Sequence, residues 1–359
     1  MSYEILANPL RGRGLVSEIG MADGNIETDV SAAAALFAQC PVHHGTPLHQ
    51  FGNLADMFGV GELWLKLEET RMGLGSFKAL GAAHAIAKLA AKRANINDPQ
   101  AMKTALAGET FICASAGNHG LSVAAGAAIF GAKAVVLLAE TVPEEFAVLL
   151  RERKAEVIRA GADYEESMAA SKQLAAEKGW NLLSDGSWKG YSRPARDVME
   201  GYLIMAHEVA DNIPTPPSHV FLQAGVGGLA AACAAGARER WGQGVKIIVV
   251  EPEAAPALME SVRAGKCVDT QGPESSMGRL DCKTPSHLAL KYLAREADFF
   301  VTLDDERVDE TVALLAKNQI SSSPSGAAGV GALHHLHDLS AFELNKSSKV
   351  LCYISEGAV

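Results

Sequence analysis

The sequence predicts an α/β protein of two lobes, each a mostly parallel sheet flanked by helices. From about residue 62 onward, short β-branched or aliphatic runs alternate with longer alanine-rich segments, the rhythm of parallel strands joined by crossover helices. Nine such runs are more than one open sheet holds comfortably beside this many helices. A chain of 359 residues with 48% hydrophobic content can fill one large core or two ordinary ones.

The elements follow in order. Leu63–Lys66, within ELWLKLE, is the first strand, and the alanine-rich stretch Phe77–Arg93 is the helix after it. Strand Thr110–Ala114 leads into helix His119–Phe130, Ala134–Leu138 into Pro143–Lys154, Glu156–Arg159 into Glu165–Lys178, and Asn181–Leu183 into Pro194–Asp211. Pro143 and Pro194 suit helix starts, where a missing amide hydrogen does no harm. Val220–Leu222 runs into helix Gly228–Trp241; Lys246–Val250, Phe299–Thr302 and Val350–Ile354 complete the strands, with helices Asp305–Asn318 and Ala327–Leu336 between the last two. No fixed-period repeat occurs, which excludes a solenoid. INDPQ (residues 96–100) and NIPTPPS (residues 212–218) read as linker-like signals or as ordinary surface connections.

Charge and composition narrow the function. The net charge is −10, from 42 acidic and 32 basic residues, and no Lys/Arg run with interleaved aromatics offers a footprint for nucleic acid. The opening MSYEILANPLRGRG lacks the charged-then-apolar pattern of a secretory signal. The most apolar region, residues 121–139, is interrupted by Ser122, Gly126, Gly131 and Lys133, so it is expected to be a buried helix running into a strand and not a membrane span. Cys40, Cys113, Cys233, Cys267, Cys282 and Cys352 form no C-x-x-C pair, which points to a reducing, cytoplasmic setting without zinc or disulfides. His43, His44 and His49, and His334, His335 and His337, lack a neighbouring third ligand type, and no metal is expected.

In parallel sheets a ligand lies beyond the carboxyl ends of the strands, where loops and helix N-termini aim their amides inward. Four turns there are unusual: GLGSFKALGA with Lys78, SAGNHG (residues 115–120), AGVGGLA (residues 224–230) and SEGA (residues 355–358). AGVGGLA fails the G-x-G-x-x-G spacing at Ala230, so it is not a dinucleotide fingerprint. Its side-chain-free amides can instead close around a single phosphate, or it is simply a tight turn. In SAGNHG, Asn118 can donate to a phenolate or carbonyl oxygen and Ser115–His119 can hold a carboxylate, unless Ser115 or Asn118 merely caps the helix. Lys78 in a low-dielectric pocket is expected to lose hydration, drop in pKa and become a nucleophile toward an aldehyde. Alone it reads as a surface lysine on an amphipathic helix. With the other three turns, it supplies what an aldehyde cofactor bearing a phosphate and a pyridine ring needs.

On these segments the sequence resembles the fold-type II family of pyridoxal-phosphate enzymes. SFKALGA is similar to the family's Ser-x-Lys motif, SAGNHG to its S-[SA]-G-N-H loop and AGVGGLAA to its phosphate cup. SDGSWKGYSRPARDVMEGY (residues 184–202), IIVVEPEAAP, MGRLDCKTP and SPSGAAGVGAL resemble, in the same order, the diaminopropionate ammonia-lyase branch. The resemblance implies a larger cofactor-binding domain of residues 1–81 plus 191–359 and a smaller mobile one of residues 82–190. It implies that Lys78 carries pyridoxal phosphate as a Schiff base, with Phe77 beside the ring and Asn118 at the 3-hydroxyl oxygen. Gly225, Val226, Gly227, Gly228 and Leu229 would cradle the phosphate, and Ser355 would meet the pyridine nitrogen. A serine there leaves that nitrogen largely unprotonated, which favours β-elimination over long-lived carbanion chemistry. Lys78 and Asp185 would be catalytic, and Ser115, Ala116, Gly117, Asn118 and His119 would surround the substrate carboxylate. Without the family, Asp185 reads as an Asx-turn residue ahead of Gly186. The branch carries an acid where this chain has Ala116, which cannot transfer a proton, and the change moves the loop toward the serine/threonine dehydratase pattern.

The expectation is a homodimeric, pyridoxal-phosphate-dependent ammonia-lyase. It would carry out α,β-elimination on a small amino acid, 2,3-diaminopropionate-like or β-hydroxylated, to give a 2-oxo acid and ammonia. The alternatives are a serine/threonine-type dehydratase, a β-replacement synthase of the cysteine-synthase kind, and a non-catalytic carrier or sensor of the cofactor.

Overall fold

The computed structural model describes residues 3–115, 117–336 and 339–358. Its strands are β1 (Ile5–Ala7), β2 (Leu48–Gln50), β3 (Glu62–Leu67), β4 (Thr110–Ala114), β5 (Lys133–Leu138), β6 (Glu156–Arg159), β7 (Asn181–Leu182), β8 (His219–Gln223), β9 (Lys246–Pro252), β10 (Phe299–Leu303) and β11 (Lys349–Ile354). They form two sheets, one ordered β1-β10-β9-β8-β11-β3-β2 and the other β6-β5-β4-β7. The smaller sheet is parallel throughout; in the larger, only the edge strands β1 and β2 pair antiparallel. This is the two-lobed α/β architecture that the alternation predicts, with helices on both faces of each sheet.

Side chains on a strand point alternately to opposite faces, and the cores follow that rule. Phe111, Cys113 and Val136 of the smaller sheet and Val220, Leu222, Val249, Leu351 and Tyr353 of the larger share one core. Helices Lys78–Ala90, Asn118–Ile129, Arg193–Asn212 and Gly228–Trp241 fill the space between them. Phe221, Val250, Cys352 and Ile354 turn the other way, onto helix Pro324–His334. Ile112, Val135 and Leu137 pack against helix Tyr164–Lys178.

Two expectations need correction. INDPQ is not a linker: the Asp98 carboxylate accepts the amides of Gln100 at 3.0 Å and Ala101 at 3.1 Å and caps a short helix, Pro99–Lys103. The edge strands β1 and β2 and helices Ser31–Phe37, Gly52–Phe58, Ala257–Ala264 and His287–Glu296 are additional to those expected. The apolar region 121–139 is indeed helix running into β5, and among the described residues no helix is long and apolar enough to cross a membrane.

The register brings the turns together. Leu67 at the end of β3 pairs with Ile354 at the end of β11, and β8 runs parallel on the other side of β11. The loops that carry Lys78, the glycine cluster and SEGA therefore leave the larger sheet at one rim.

Candidate active site

Lys78 is delivered by a loop fastened at both ends. After β3, Arg71 is fully buried and forks onto Glu68, with Nε 2.7 Å from Oε2 and Nη2 2.8 Å from Oε1. It also reaches Glu208 at 2.7 and 2.8 Å, Thr46 Oγ1 and the His44 carbonyl at 3.0 Å. Lys66 Nζ meets the same Glu208 at 2.5 Å, so two cations and two carboxylates neutralise one another out of water. Thr46 donates to Glu68 at 2.6 Å and belongs to this network. Further along, Ser76 pairs with Glu356, the Phe77 amide donates to the Ser355 carbonyl at 3.0 Å, and Gly357 N donates to the Gly75 carbonyl at 3.1 Å. The lysine loop and the SEGA turn thus form one unit.

Lys78 Nζ forms an ion pair with Asp185. Its ammonium lies 5.2 Å from the centre of the Phe77 ring and 5.8 Å from that of Tyr202. Burial pulls its pKa down, but Asp185, by charge and hydrogen bond, together with Tyr202, lifts it above the ordinary lysine range. Desolvation alone predicts the opposite sign; the reversal comes from a carboxylate 107 positions away in the chain, outside any local pattern. Asp185 is the mirror image: burial pushes it up, and Lys78 and His119 hold it well below the usual carboxylate range.

Asp185 sits in a braced loop. Trp188 stacks on Tyr191 at 4.2 Å with their backbones paired, and the Tyr191 hydroxyl accepts Ser184 N at 2.9 Å and donates to the Leu182 carbonyl at 3.0 Å. Ser187 and Ser286 are hydrogen-bonded at 2.8 Å, and Ser286 N donates to the Val226 carbonyl at 2.9 Å. That pair joins the Asp185 loop to the glycine turn. It is Ser184 Oγ, 3.2 Å from Gly186 N, that makes the local turn bond expected of Asp185.

The glycine turn leaves β8 and opens helix Gly228–Trp241, with Gly227 at φ +98°, a conformation that favours glycine. A Cβ on Gly225 would lie 3.0 Å from Cys282 Sγ and from Leu280 Cα. Cys282 lies within range of the charges of Lys78 and Asp185, and burial, with Asp185 adding to it, pushes its thiol up to about 12. Backbone amides of a glycine turn at a helix N-terminus suit one phosphate group. On the far side, the Ser355 hydroxyl accepts Gln223 Nε2 at 3.1 Å, which leaves its own proton free to donate.

In SAGNHG the side chains have local tasks. Ser115 Oγ accepts Gly120 N at 3.1 Å and Gly117 N at 3.3 Å, as the capping alternative requires. His119 donates from Nε2 to the Leu183 carbonyl at 2.8 Å, and burial lowers its pKa. Asn118 Nδ2 donates at 2.6 Å to Glu356, whose carboxylate also holds Arg279 and Ser323. Gly117 lies under Arg279: a Cβ there would be 3.5 Å from Nε. Ala116 lies outside the described residues.

The structure therefore gathers Phe77, Lys78, Asp185 and the turn 225–229 around one space, with Asn118 and Ser355 at its edge, joined through Glu356 and the Lys78 loop. It adds Tyr202, Cys282, Glu356, Arg279 and the Ser187–Ser286 pair, to which the sequence assigns no role. Glu356 was nevertheless in plain view within SEGA, as a carboxylate in a turn otherwise made of small residues. The Tyr202 hydroxyl is buried with no partner of full hydrogen-bond geometry among the described residues, a situation that costs up to about 1–3 kcal/mol. Asp281 and Lys283 pair with each other, and Lys283 donates to the Ala254 and Pro273 carbonyls at 2.9 Å, fixing their own loop. His43 is 3.8 Å from Glu208, His334 is 2.9 Å from Thr311 and 4.2 Å, ring to ring, from His335, and His335 is 3.7 Å from Glu310, while His337 lies outside the described residues.

The sequence model of a family described as pyridoxal-phosphate dependent enzyme matches residues 40–356. A diaminopropionate ammonia-lyase from Salmonella typhimurium is 30% identical over 383 residues, covering 96% of this chain and 92% of that protein. The crystal structure of diaminopropionate ammonia lyase from Escherichia coli in complex with D-serine superposes with a TM-score of 0.89 at 28% identity, covering 99% of this chain and 94% of the other. The same enzyme in complex with an aminoacrylate-PLP azomethine reaction intermediate gives 0.88 at 27% identity over the same shares.

Proposed function

The chain belongs to the pyridoxal-phosphate dependent enzyme family, and from that premise we propose that it is an ammonia-lyase. It would remove the Cα proton and a Cβ substituent from a small amino acid, leaving an enamine that hydrolyses to a 2-oxo acid and ammonia. The residues present fit the cofactor. Lys78 would hold its aldehyde carbon, residues 225–229 its phosphate, Ser355 its ring nitrogen and Asn118 its 3-hydroxyl oxygen, with Phe77 beside the ring. Bound there, the cofactor supplies the electron sink for negative charge developing at Cα. The observation that carries the reading is the Lys78–Asp185 pair: an amine and a carboxylate in contact, with pKa values driven apart, is the pattern of an acid–base couple. Lys78 would take the Cα proton and Asp185 would manage the proton for the departing group.

The substrate carboxylate would rest on the amides of Gly117, Asn118 and His119 at the start of helix Asn118–Ile129. Ala116, where the ammonia-lyase branch carries an acid, favours a β-hydroxy amino acid beside the diamino substrate. Residues 82–190, which contain the four-stranded sheet, would close as a lid over the site. A homodimer in the cytoplasm is the expected setting, and the six free thiols suit it.

Incubation with 2,3-diaminopropionate, serine, threonine and 3-hydroxyaspartate of both configurations, with no added nucleophile, tests the proposal. Equal yields of ammonia from Cα and 2-oxo acid are expected. Turnover that requires a second nucleophile would make it a β-replacement enzyme, and none with any amino acid would leave a carrier of the cofactor.

A further inference from the structure

Tyr202 stands on helix Arg193–Asn212, buried to 1% exposure, with its ring tilted against Phe77 at 4.8 Å. Two glycines make room for it. A Cβ on Gly81, one turn beyond Lys78, would lie 2.5 Å from its Cε1 and 2.7 Å from its hydroxyl oxygen; one on Gly228, where the cup helix begins, would lie 3.6 Å from its Cε2. The phenol is therefore wedged between the helix that carries Lys78 and the helix that opens behind the glycine turn. Its hydroxyl lies close enough to the Lys78 ammonium to feel its charge and a hydrogen-bond contact, yet no partner among the described residues meets full hydrogen-bond geometry.

A phenylalanine would fill the same volume without burying an unpaired hydroxyl. The hydroxyl therefore needs a partner in some other state of the site, and the Lys78 nitrogen is the group it faces. We propose that Tyr202 is a positioning residue for Lys78, its hydroxyl holding the lysine nitrogen whenever that nitrogen is not paired with Asp185. A phenol suits both forms of the amine, because its oxygen accepts from an ammonium and its proton is donated to a free amine. Burial raises the pKa of the Tyr202 hydroxyl, so it stays protonated and able to donate across the working range.

The inference rests on the lyase reading for its catalytic consequence but not for its first test. That test is the rate at which cofactor-free protein captures added pyridoxal phosphate, followed by near-visible absorbance. In the capture the Lys78 amine attacks the aldehyde carbon, a carbon–nitrogen double bond replaces the carbon–oxygen one, and water leaves. Tyr202→Phe should slow capture at least fivefold while the cofactor-free protein melts at the same temperature or higher, because an unpaired buried hydroxyl has been removed. With a substrate that turns over, kcat should fall at least tenfold and KM change by less than threefold. Capture within twofold of wild type overturns the proposal, and so does a lower melting temperature, which would make the hydroxyl a structural element. If the wild type captures the cofactor but eliminates nothing, the lyase reading fails alone and the capture rates still decide the role of Tyr202.

Discussion

Gly201→Ala tests how tightly the lysine is held. Gly201 lies on helix Arg193–Asn212 where it crosses helix Lys78–Ala90, and a Cβ there would fall 2.3 Å from the Leu80 carbonyl oxygen and 2.8 Å from His84 Cβ. Carbon–oxygen contacts settle at about 3.3 Å or more, so the helices would have to part by roughly 1 Å. Nothing flexible can yield, because the nearest atom is backbone two residues beyond Lys78. Replacing glycine by alanine in a helix interior gains about 1 kcal/mol of propensity. Overpacking a buried contact costs about 1–3 kcal/mol, and a backbone neighbour places this one at the upper end. The expected net loss is about 1–2 kcal/mol, read as a lower urea midpoint of the cofactor-free protein by tryptophan fluorescence. A lysine displaced by about 1 Å should also lower kcat by roughly 100-fold. Gly52→Ala, at a helix start with nothing within 4 Å of the added carbon, is the control and should not destabilise. A Gly201→Ala variant as stable and as fast as wild type would show that the two helices have slack between them, and their contact could not then be what fixes Lys78.

Other substitutions probe other parts of the site. Arg71→Met would leave Glu68 and Glu208 with Lys66 alone, and breaking such a buried network should cost about 3–5 kcal/mol in the same urea assay. Glu251 is fully buried and accepts the amides of Leu258 at 2.7 Å and Met259 at 2.8 Å, yet burial pushes its pKa up to about 8 from the usual 4.5. A folded-state pKa above the unfolded one gives stability that is whole below about pH 4.5 and lost as pH rises through about 8, so the melting temperature should decline across that window, and less steeply in Glu251→Gln. Asp185→Asn removes the main charge that holds Lys78 up and leaves burial to lower it, so cofactor capture should reach half its maximal rate at a lower pH than in wild type while kcat collapses. An unchanged capture profile would mean that Asp185 does not set the state of Lys78.

What the sequence discloses about this molecule is what is local. KAVVLL and TFICA read as strands because both faces of a central parallel strand are buried, which leaves an unbroken apolar run. ILA and LHQ, three residues each on sheet edges with mixed burial, carry too few residues for any periodicity to show. HLALKYLARE does have helical spacing, but the charged DCK and the proline just ahead of it make the stretch resemble a loop. The same division runs through the site. Lys78, Asn118 and the glycine turn announce themselves because each lies in a short motif. The neighbours that set their chemistry are remote: Asp185 is 107 positions from Lys78, Ser286 is 99 from Ser187 and Glu356 is 238 from Asn118. The mistaken direction for the Lys78 pKa arose there, since desolvation can be foreseen from a pocket whereas its counter-charge cannot.

That counter-charge raises a question of mechanism, because a lysine attacks a carbonyl only as a free amine, and here it rests as an ammonium. The pair resolves it by coupling. Burial opposes the charge on Lys78 and the charge on Asp185 alike, and each persists because the other is present. If the lysine nitrogen becomes uncharged, burial is the largest remaining influence on Asp185, and the carboxyl climbs toward a range where it can hold a proton. If Asp185 takes that proton, Lys78 falls toward a range where it is a free amine. His119 is tied up elsewhere, with its Nε2 proton committed to the Leu183 carbonyl. One proton moving between the two side chains would therefore make a base at Cα and an acid for the leaving group in the same event. A β-amino or β-hydroxyl substituent must acquire a proton as its bond to Cβ breaks, and on the proposed reading the carboxyl that gains one as Lys78 gives it up would supply it.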